Sequence, residues 1–268
     1  MDLLAAALLG VVQGLTEFLP VSSSGHLVLA RAFFGWDLGR YGLAFDVACH
    51  VGTLLAVVAY FWRDVQAMIA ALPAALTGGE AHHARLVRLV AVGTLPVVIV
   101  ALVFGDVLEG IRSPRVVAVT LAVGAIGLLL AERLGSQTRD EESIGYGGAV
   151  AIGIAQASAL VPGVSRSGAT LTVAMLMGQR RHSAARFVFL LSLPAVAAAA
   201  AKEALDLAEV GIAGAPVLLM VIGLVVSGIV GYLTIKFFLQ YLARHSLAVF
   251  AYYRLALAGI TAVWLWAR

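Results

Sequence analysis

Long apolar stretches, separated by short polar interruptions, dominate this chain. Residues 47–62, 89–105, 116–131, 187–201 and 210–235 carry no charge, and 246–267 contains only Arg254. The first five run out at Arg63-Asp64, at Asp106 and Glu109, at Glu132-Arg133, at Lys202-Glu203 and at Lys236. Each is long enough to cross hydrocarbon with help from its flanking residues. None alternates over about ten residues as a barrel strand must, and all are rich in Leu, Val and Ala, so the pattern predicts helices.

Two regions break this pattern. Residues 3–16 are apolar, then Glu17, Pro20, Ser22, Ser23, Ser24, Gly25 and His26 intervene before the apolar run resumes at 27–30. Residues 144–164 behave alike, followed by Ser165, Arg166, Ser167, Gly168 and Thr170. A helix interrupted by polar, turn-forming residues at membrane depth survives only where it is buried in protein or lines a wet cavity. The breaks also resemble each other: Gly10-Val11-Val12-Gln13 against Gly153-Ile154-Ala155-Gln156, and Ser22-Ser23-Ser24-Gly25 against Ser165-Arg166-Ser167-Gly168. Interrupted segments at matching places in two halves point to a shared central site. The expected architecture is therefore an all-α, polytopic integral membrane bundle, one membrane domain over 1–268. It has an inverted-topology repeat of halves near 1–135 and 144–268, a polar linker 136–143, and two re-entrant broken-helix pairs.

Composition supports the membrane setting. The chain is 62% hydrophobic and 12% charged, against roughly 45–50% and about 25% in soluble domains. Its 268 residues allow about six to eight crossings. A net charge of +3, without basic runs interleaved with aromatics, gives no sign of a nucleic-acid partner. The single cysteine, Cys49, excludes an intrachain disulfide and reads as a small packed side chain. The opening Met1-Asp2-Leu3-Leu4 lacks a positive region and a cleavage signal, so the first apolar segment is expected to stay in the mature protein.

The breaks hold the chemistry. In the second, hydroxyls and glycines around Arg166 lead into a helix whose free N–H groups suit a phosphate, and the arginine adds a bidentate clamp. The bland reading is a structural ion pair between Arg166 and Glu17. In the first, Ser22 and Ser23 precede His26 by four and three residues, which on a helix shares a face. A hydroxyl beside an imidazole is the minimum kit for nucleophilic or acid–base chemistry, while an N-cap serine and a packed histidine are the bland alternative. Glu17 is a candidate metal ligand, orienter or base. Phosphoryl transfer needs positioning, charge neutralisation and a proton handler, and the two segments together supply all three.

The motifs Gln13-Gly14-Leu15-Thr16-Glu17-Phe18-Leu19-Pro20-Val21-Ser22-Ser23-Ser24-Gly25-His26 and Pro162-Gly163-Val164-Ser165-Arg166-Ser167-Gly168-Ala169-Thr170 closely resemble those of the undecaprenyl-diphosphate phosphatases, also called bacitracin-resistance proteins. The resemblance runs nearly end to end. It implies hydrolysis of a polyprenyl diphosphate, undecaprenyl diphosphate, to the monophosphate carrier of cell-wall synthesis. It also implies a divalent cation (Mg or Ca), the bacterial cytoplasmic membrane with a site facing its outer side, and a homodimer. Carried onto this chain, Glu17, Ser22, Ser23, His26 and Arg166 are the catalytic candidates. The nucleophile is Ser22 or Ser23, His26, or water activated by Glu17 or a metal; a serine with His26 or Glu17 as base and Arg166 on the transferring phosphoryl group is the favoured arrangement. Ser24, Gly25, Ser165, Ser167, Gly168 and Thr170 line the phosphate site, and Glu17 with Gln13 are the candidate metal ligands. The family pattern has Glu or Gln at Gln13; an amide there can ligate but cannot act as a base.

Other polar residues carry weaker expectations. Asp46 and His50 read as helix-end solvation rather than as the mouth of the site, and His82-His83 as loop residues. Arg139-Asp140-Glu141-Glu142 reads as a solvated loop, and 63–88 as the largest extramembrane loop. Gln156 reads as a bridge between helices, Arg254 among Tyr252, Tyr253 and Trp264 as an interface anchor, and Gly223, Gly228 and Gly231 as close helix packing. The rival function is a transporter or flippase of a phosphorylated lipid or anion, since broken helices in a repeat are a transporter architecture. The acid-phosphatase type of lipid phosphatase fits poorly, because the first histidine after Arg166 is His182, inside a basic run.

Overall fold

The structure, a computed structural model, describes residues 3–34, 42–210 and 217–267, apart from the side chains of Leu43, Asp106, Glu109, Asp206 and Val210. Met1-Asp2, the charges placed after the 89–105 stretch and the start of the 210–235 stretch thus lie outside the described residues. Among those described there is no strand, only an isolated bridge between Arg139 and Gln179. The helices are α1 (Leu3–Thr16), α2 (Ser23–Phe34), α3 (Gly42–Tyr60), α4 (Trp62–Ala70), α5 (Leu72–Leu76), α6 (His82–Gly110), α7 (Pro114–Leu134), α8 (Tyr146–Ser158), α9 (Arg166–Leu176), α10 (Arg181–Val210), α11 (Val217–Leu242) and α12 (Ala248–Trp266).

Five described helices, α6, α7, α10, α11 and α12, are long and apolar enough to cross a membrane; α3 with α4, bent by 79° at Phe61, has the length and composition for a sixth if the pair is one span. Their outer faces stay apolar. On α6 Leu95, Ile99 and Leu102 are exposed, on α7 Val119, Val123, Ile126 and Leu130, and on α11 Val221, Val225 and Ile229. Stripes at this three-to-four spacing would be untenable in water and are what a lipid-facing helix presents.

The helices flanking the two breaks are short: α1, α2, α8 and α9 have 14, 12, 13 and 11 residues. At 1.5 Å per residue each is about 16–21 Å long, less than the ~30 Å of hydrocarbon. They are buried by the long helices. α1 lies along α11, α8 along α6, and α7 touches both α2 and α9. Glycines set these approaches. A Cβ on Gly14 would stand 2.8 Å from Val230 Cβ and 2.9 Å from the Gly231 nitrogen, and Gly153 packs on the Gly93 backbone. Gly223 seats Phe45 and Cys49, Gly228 approaches the Gly52 carbonyl and Gly231 seats Phe18, as the packing reading expects. Below the breaks, Phe18, Phe61, Phe189 and Phe238 interlock, with Phe18 edge-on to Phe189 at 5.8 Å. Phe18 sits in this core next to Glu17, so burial of one fixes the other.

Helices extend beyond the apolar stretches where polar side chains find partners. The 63–88 region is not a loop: α4, α5 and the first turns of α6 occupy most of it. Arg88 donates to the Ala75 and Gly79 carbonyls, and Arg85 to those of Glu142 and Ile144. His82 and His83 therefore open α6, their rings 5.1 Å apart. The acidic linker is tied down rather than merely solvated. Asp140 accepts from Arg180 and Ser183, and Glu141 pairs with Arg186. Burial pushes the Glu141 carboxyl up, against the pull of Arg186.

Candidate active site

The two breaks have the same local geometry. Ser22 has φ +76° and Ser165 φ +72°, left-handed conformations that cost a non-glycine residue about 1–2 kcal/mol. Each serine then caps the helix that follows. Ser22 Oγ accepts from the Gly25 nitrogen and Ser165 Oγ from the Gly168 nitrogen, both at 3.2 Å. Ser22 Oγ lies 3.4 Å from Ser24 Oγ, and Ser165 Oγ 3.3 Å from Ser167 Oγ. An N-cap serine was one of the two sequence readings of the first break, and Ser22 takes that role; the positive φ at both serines was not legible, because a Ser-x-Ser-Gly string does not reveal it.

The breaks meet. Ser167 Oγ donates to the Leu19 carbonyl at 3.0 Å, and the Gly163 nitrogen donates to Ser24 Oγ at 3.5 Å. A Cβ on Gly25 would stand 3.3 Å from Gly163 Cα, so a larger residue there would push the two backbones apart by a few tenths of an ångström. Arg166 Nη2 donates to Glu17 Oε1. Glu17 Oε2 accepts from Ser23 Oγ at 2.7 Å and from Gln13 Nε2 at 3.0 Å. With three donors on one carboxylate, Glu17 is the hub of the site. The Glu17 and Arg166 side chains are 9% and 20% exposed, so the pair is sheltered yet reachable.

Around this hub is a cavity of about 170 Å³. Its polar floor is Glu17, Ser22, Ser23, Ser24, Gln156, Ser165, Arg166 and His50; its other wall is Val97, Ala159, Leu160, Ala195, Val196 and Ala199. The N-termini of α2 and α9 both open at the breaks, bringing free N–H groups and two positive dipole ends to one place. A polar floor under an apolar wall suits an amphiphile with an anionic head.

Several expected residues point elsewhere. Thr170 is fully buried, its hydroxyl donates to the Arg166 and Ser167 carbonyls of its own helix, and it does not line the cavity. Ser167 is a strut between the breaks, while Gly25 and Gly168 are packing positions, Gly168 against the Arg254 guanidinium. His26 is not among the residues lining the cavity, and its ring nitrogens bond elsewhere than to a serine hydroxyl. Its Nδ1 donates to the Ser22 carbonyl and its Nε2 pairs with the Tyr253 hydroxyl, each at 2.7 Å. Because Ser22 lies outside the helix, the four-residue spacing no longer places its hydroxyl on the histidine's face.

Three residues proved more central than their sequence context suggested. His50 lines the cavity, and its Nδ1 donates to Glu203 Oε2 at 2.8 Å, whereas Asp46 pairs with Arg31 at 2.5 Å; neither is merely solvated. Gln156 lines the cavity with both amide atoms buried and without a partner, so it does not bridge helices, and Gln13 Oε1 is likewise unpartnered. Arg254 is no interface anchor but fully buried. It donates to the Pro20 carbonyl of the first break, to Gly163 and Val164 of the second, and to Thr120 and Leu121 of α7, at 3.0–3.3 Å. A charge inside an apolar span was the available signal; its partners were not.

Residues 6–260 match the family described as bacitracin resistance protein BacA. An undecaprenyl-diphosphatase of Rubrobacter xylanophilus is 48% identical over 266 residues, covering 98% of both chains. One of Moorella thermoacetica is 43% identical over 272 residues, covering both chains completely, and one of Thioalkalivibrio sulfidiphilus is 43% identical over 268 residues. With such a match over most of its length, and two serine-capped breaks closing on a Glu17–Arg166 hub inside an all-helical, multi-pass bundle, the chain belongs to the bacitracin resistance protein BacA family.

Proposed function

We propose that this protein is a membrane phosphatase that hydrolyses undecaprenyl diphosphate to undecaprenyl phosphate and inorganic phosphate. The observation that carries the reading is the hub of Glu17, Ser23 and Arg166, built from both breaks under an apolar wall. The family and its undecaprenyl-diphosphatase relatives support it. It serves carrier-lipid recycling for the cell wall and hence bacitracin resistance. The transporter reading has no observation in its favour that hydrolysis lacks.

In this mechanism the terminal phosphate draws Arg166 off Glu17, and the guanidinium and the N-termini of α2 and α9 take up its charge. Losing that counter-charge makes the carboxylate a stronger base, and Glu17 Oε2, which already accepts from Ser23 Oγ, takes the Ser23 proton. Ser23 Oγ then bonds to phosphorus, the bridging P–O bond breaks, and its electron pair leaves with the lipid monophosphate. Water cleaves the phosphoserine, and Glu17 returns the proton. Ser23 suits the attack better than Ser22, whose hydroxyl is committed to capping. Among the described residues no three His, Cys, Asp or Glu cluster to hold a metal. A Mg or Ca ion therefore fits only as a guest shared with the substrate, held by Glu17 and the unpartnered Gln13 Oε1. When bound it would neutralise phosphate charge.

The matched caps of Ser22 and Ser165 and the reciprocal packing of α1 on α11 and α8 on α6 support an inverted repeat. Its halves meet at linker 136–143 within one membrane domain. The shortness of α1, α2, α8 and α9 supports two re-entrant pairs. The family resemblance further supports the cytoplasmic membrane, a site open to its outer side, and a homodimer.

The test is phosphate release by the purified chain in detergent, where transport has no meaning. One phosphate per lipid is expected from undecaprenyl diphosphate, slowed by a chelator and restored by Mg or Ca. An intact diphosphate after prolonged incubation with added cation sinks the reading. His26→Ala is expected to lower the rate about 100-fold by releasing the Ser22 bend, within the range of lost positioning, while Tyr253→Phe costs only a few-fold. Equal losses in the two variants would instead assign the work to the tyrosine hydroxyl.

A further inference from the structure

We infer that His50, oriented by Glu203, contacts the lipid-proximal phosphate and so makes the cavity select a diphosphate over a monophosphate. The inference rests on the phosphatase reading above and names a residue that reading does not use. His50 stands on α3 and Glu203 on α10, and their side chains are 26% and 24% exposed. A carboxylate only accepts, so the 2.8 Å contact places a proton on Nδ1 and fixes the ring. The Nε2 edge remains for the cavity that His50 lines with Glu17 and Arg166.

Position says which phosphate it meets. Val196, Ala199 and Glu203 follow at helical spacing along one face of α10, and the first two form the apolar wall. His50 therefore stands where polar floor meets apolar wall, the place for the phosphate that carries the tail. The serine caps and Arg166 serve the terminal one. Charge points the same way. Arg166 is matched by Glu17, and Asp46, one turn before His50 on α3, is taken by Arg31 of α2. A diphosphate brings more negative charge than Arg166 alone answers. An imidazole with a carboxylate behind it is stabilised when both nitrogens carry protons, and is then a donor to an anion.

The test uses the full chain in detergent, with undecaprenyl diphosphate as substrate and inorganic diphosphate and inorganic phosphate as competing probes. His50→Ala is expected to raise KM about 10- to 100-fold, the range for losing a charge-assisted hydrogen bond. It leaves kcat within about threefold, as loss of uniform binding should. Inhibition by inorganic diphosphate weakens by a similar factor, and inhibition by inorganic phosphate does not change. His50→Gln, which keeps a donor, recovers most of the affinity. Glu203→Gln moves KM the same way by less and adds nothing in the His50→Ala background. The inference is overturned if His50→Ala weakens both probes equally, weakens neither, or lowers kcat at unchanged KM. Calorimetric binding of inorganic diphosphate to wild type and His50→Ala needs no turnover. A wild type that binds diphosphate through His50 but releases no phosphate would sink the phosphatase reading and leave this one standing.

Discussion

Arg166→Ala is expected to lower kcat for phosphate release by three orders of magnitude or more. Arginines that stabilise a transferring phosphoryl group contribute about 10³–10⁵ in rate. Here the side chain has a second duty: its guanidinium meets Glu17, which the carboxylate shares with Ser23 and Gln13. Removing it leaves a nearly buried carboxylate without its counter-charge, which destabilises the hub as well as the transition state. Arg166→Lys keeps the charge but not the fork, and is expected to lose about 10- to 100-fold. Adding Glu17→Gln to Arg166→Ala removes the orphaned charge, so thermal stability returns while activity does not. Normal turnover by Arg166→Ala would end the clamp assignment.

Arg254→Leu is expected to have the largest effect on stability, a loss of about 3 kcal/mol or more. Leucine keeps apolar bulk but none of the donors that Arg254 offers to five carbonyls, three of them in the breaks. The Pro20, Gly163 and Val164 carbonyls lie in the breaks, outside any helix, where no following turn supplies an amide, and Arg254 is fully buried beside them. The breaks should part, and phosphate release should fall with the thermal midpoint in detergent. Arg254→Lys does not rescue, because a single ammonium cannot fork to Pro20, Gly163 and Leu121 together. Gly124 is part of the same device: its missing side chain is where the guanidinium passes. A wild-type midpoint and rate in Arg254→Leu would show the clip to be dispensable.

The spans and the breaks were legible because apolar length and turn residues are local properties. The pairing of Glu17 with Arg166 was legible as one of two alternatives, because a carboxylate and a guanidinium stranded in apolar sequence each need an opposite charge or an anion. His50 was not, because its partner Glu203 is 153 positions away and nothing in either neighbourhood announces the other. Thr170 misled for a different reason. A threonine in a helix satisfies its hydroxyl on the preceding turn as readily as on a ligand, and only the backbone decides. The Ser22–His26 spacing misled because face-sharing at four residues presumes continuous helix, and Ser22 breaks it with a positive φ.

The carbonyl clip also sets an order of events. Arg254 comes from the final helix, yet it fastens a bend near residue 20 to another near residue 163. A nascent chain threaded into the bilayer from its amino end therefore has Glu17, Arg166 and both serine caps in place before the residue that latches them exists. Until α12 enters, the catalytic centre is a set of loosely facing parts, so a chain truncated ahead of α12 would be inserted and inert.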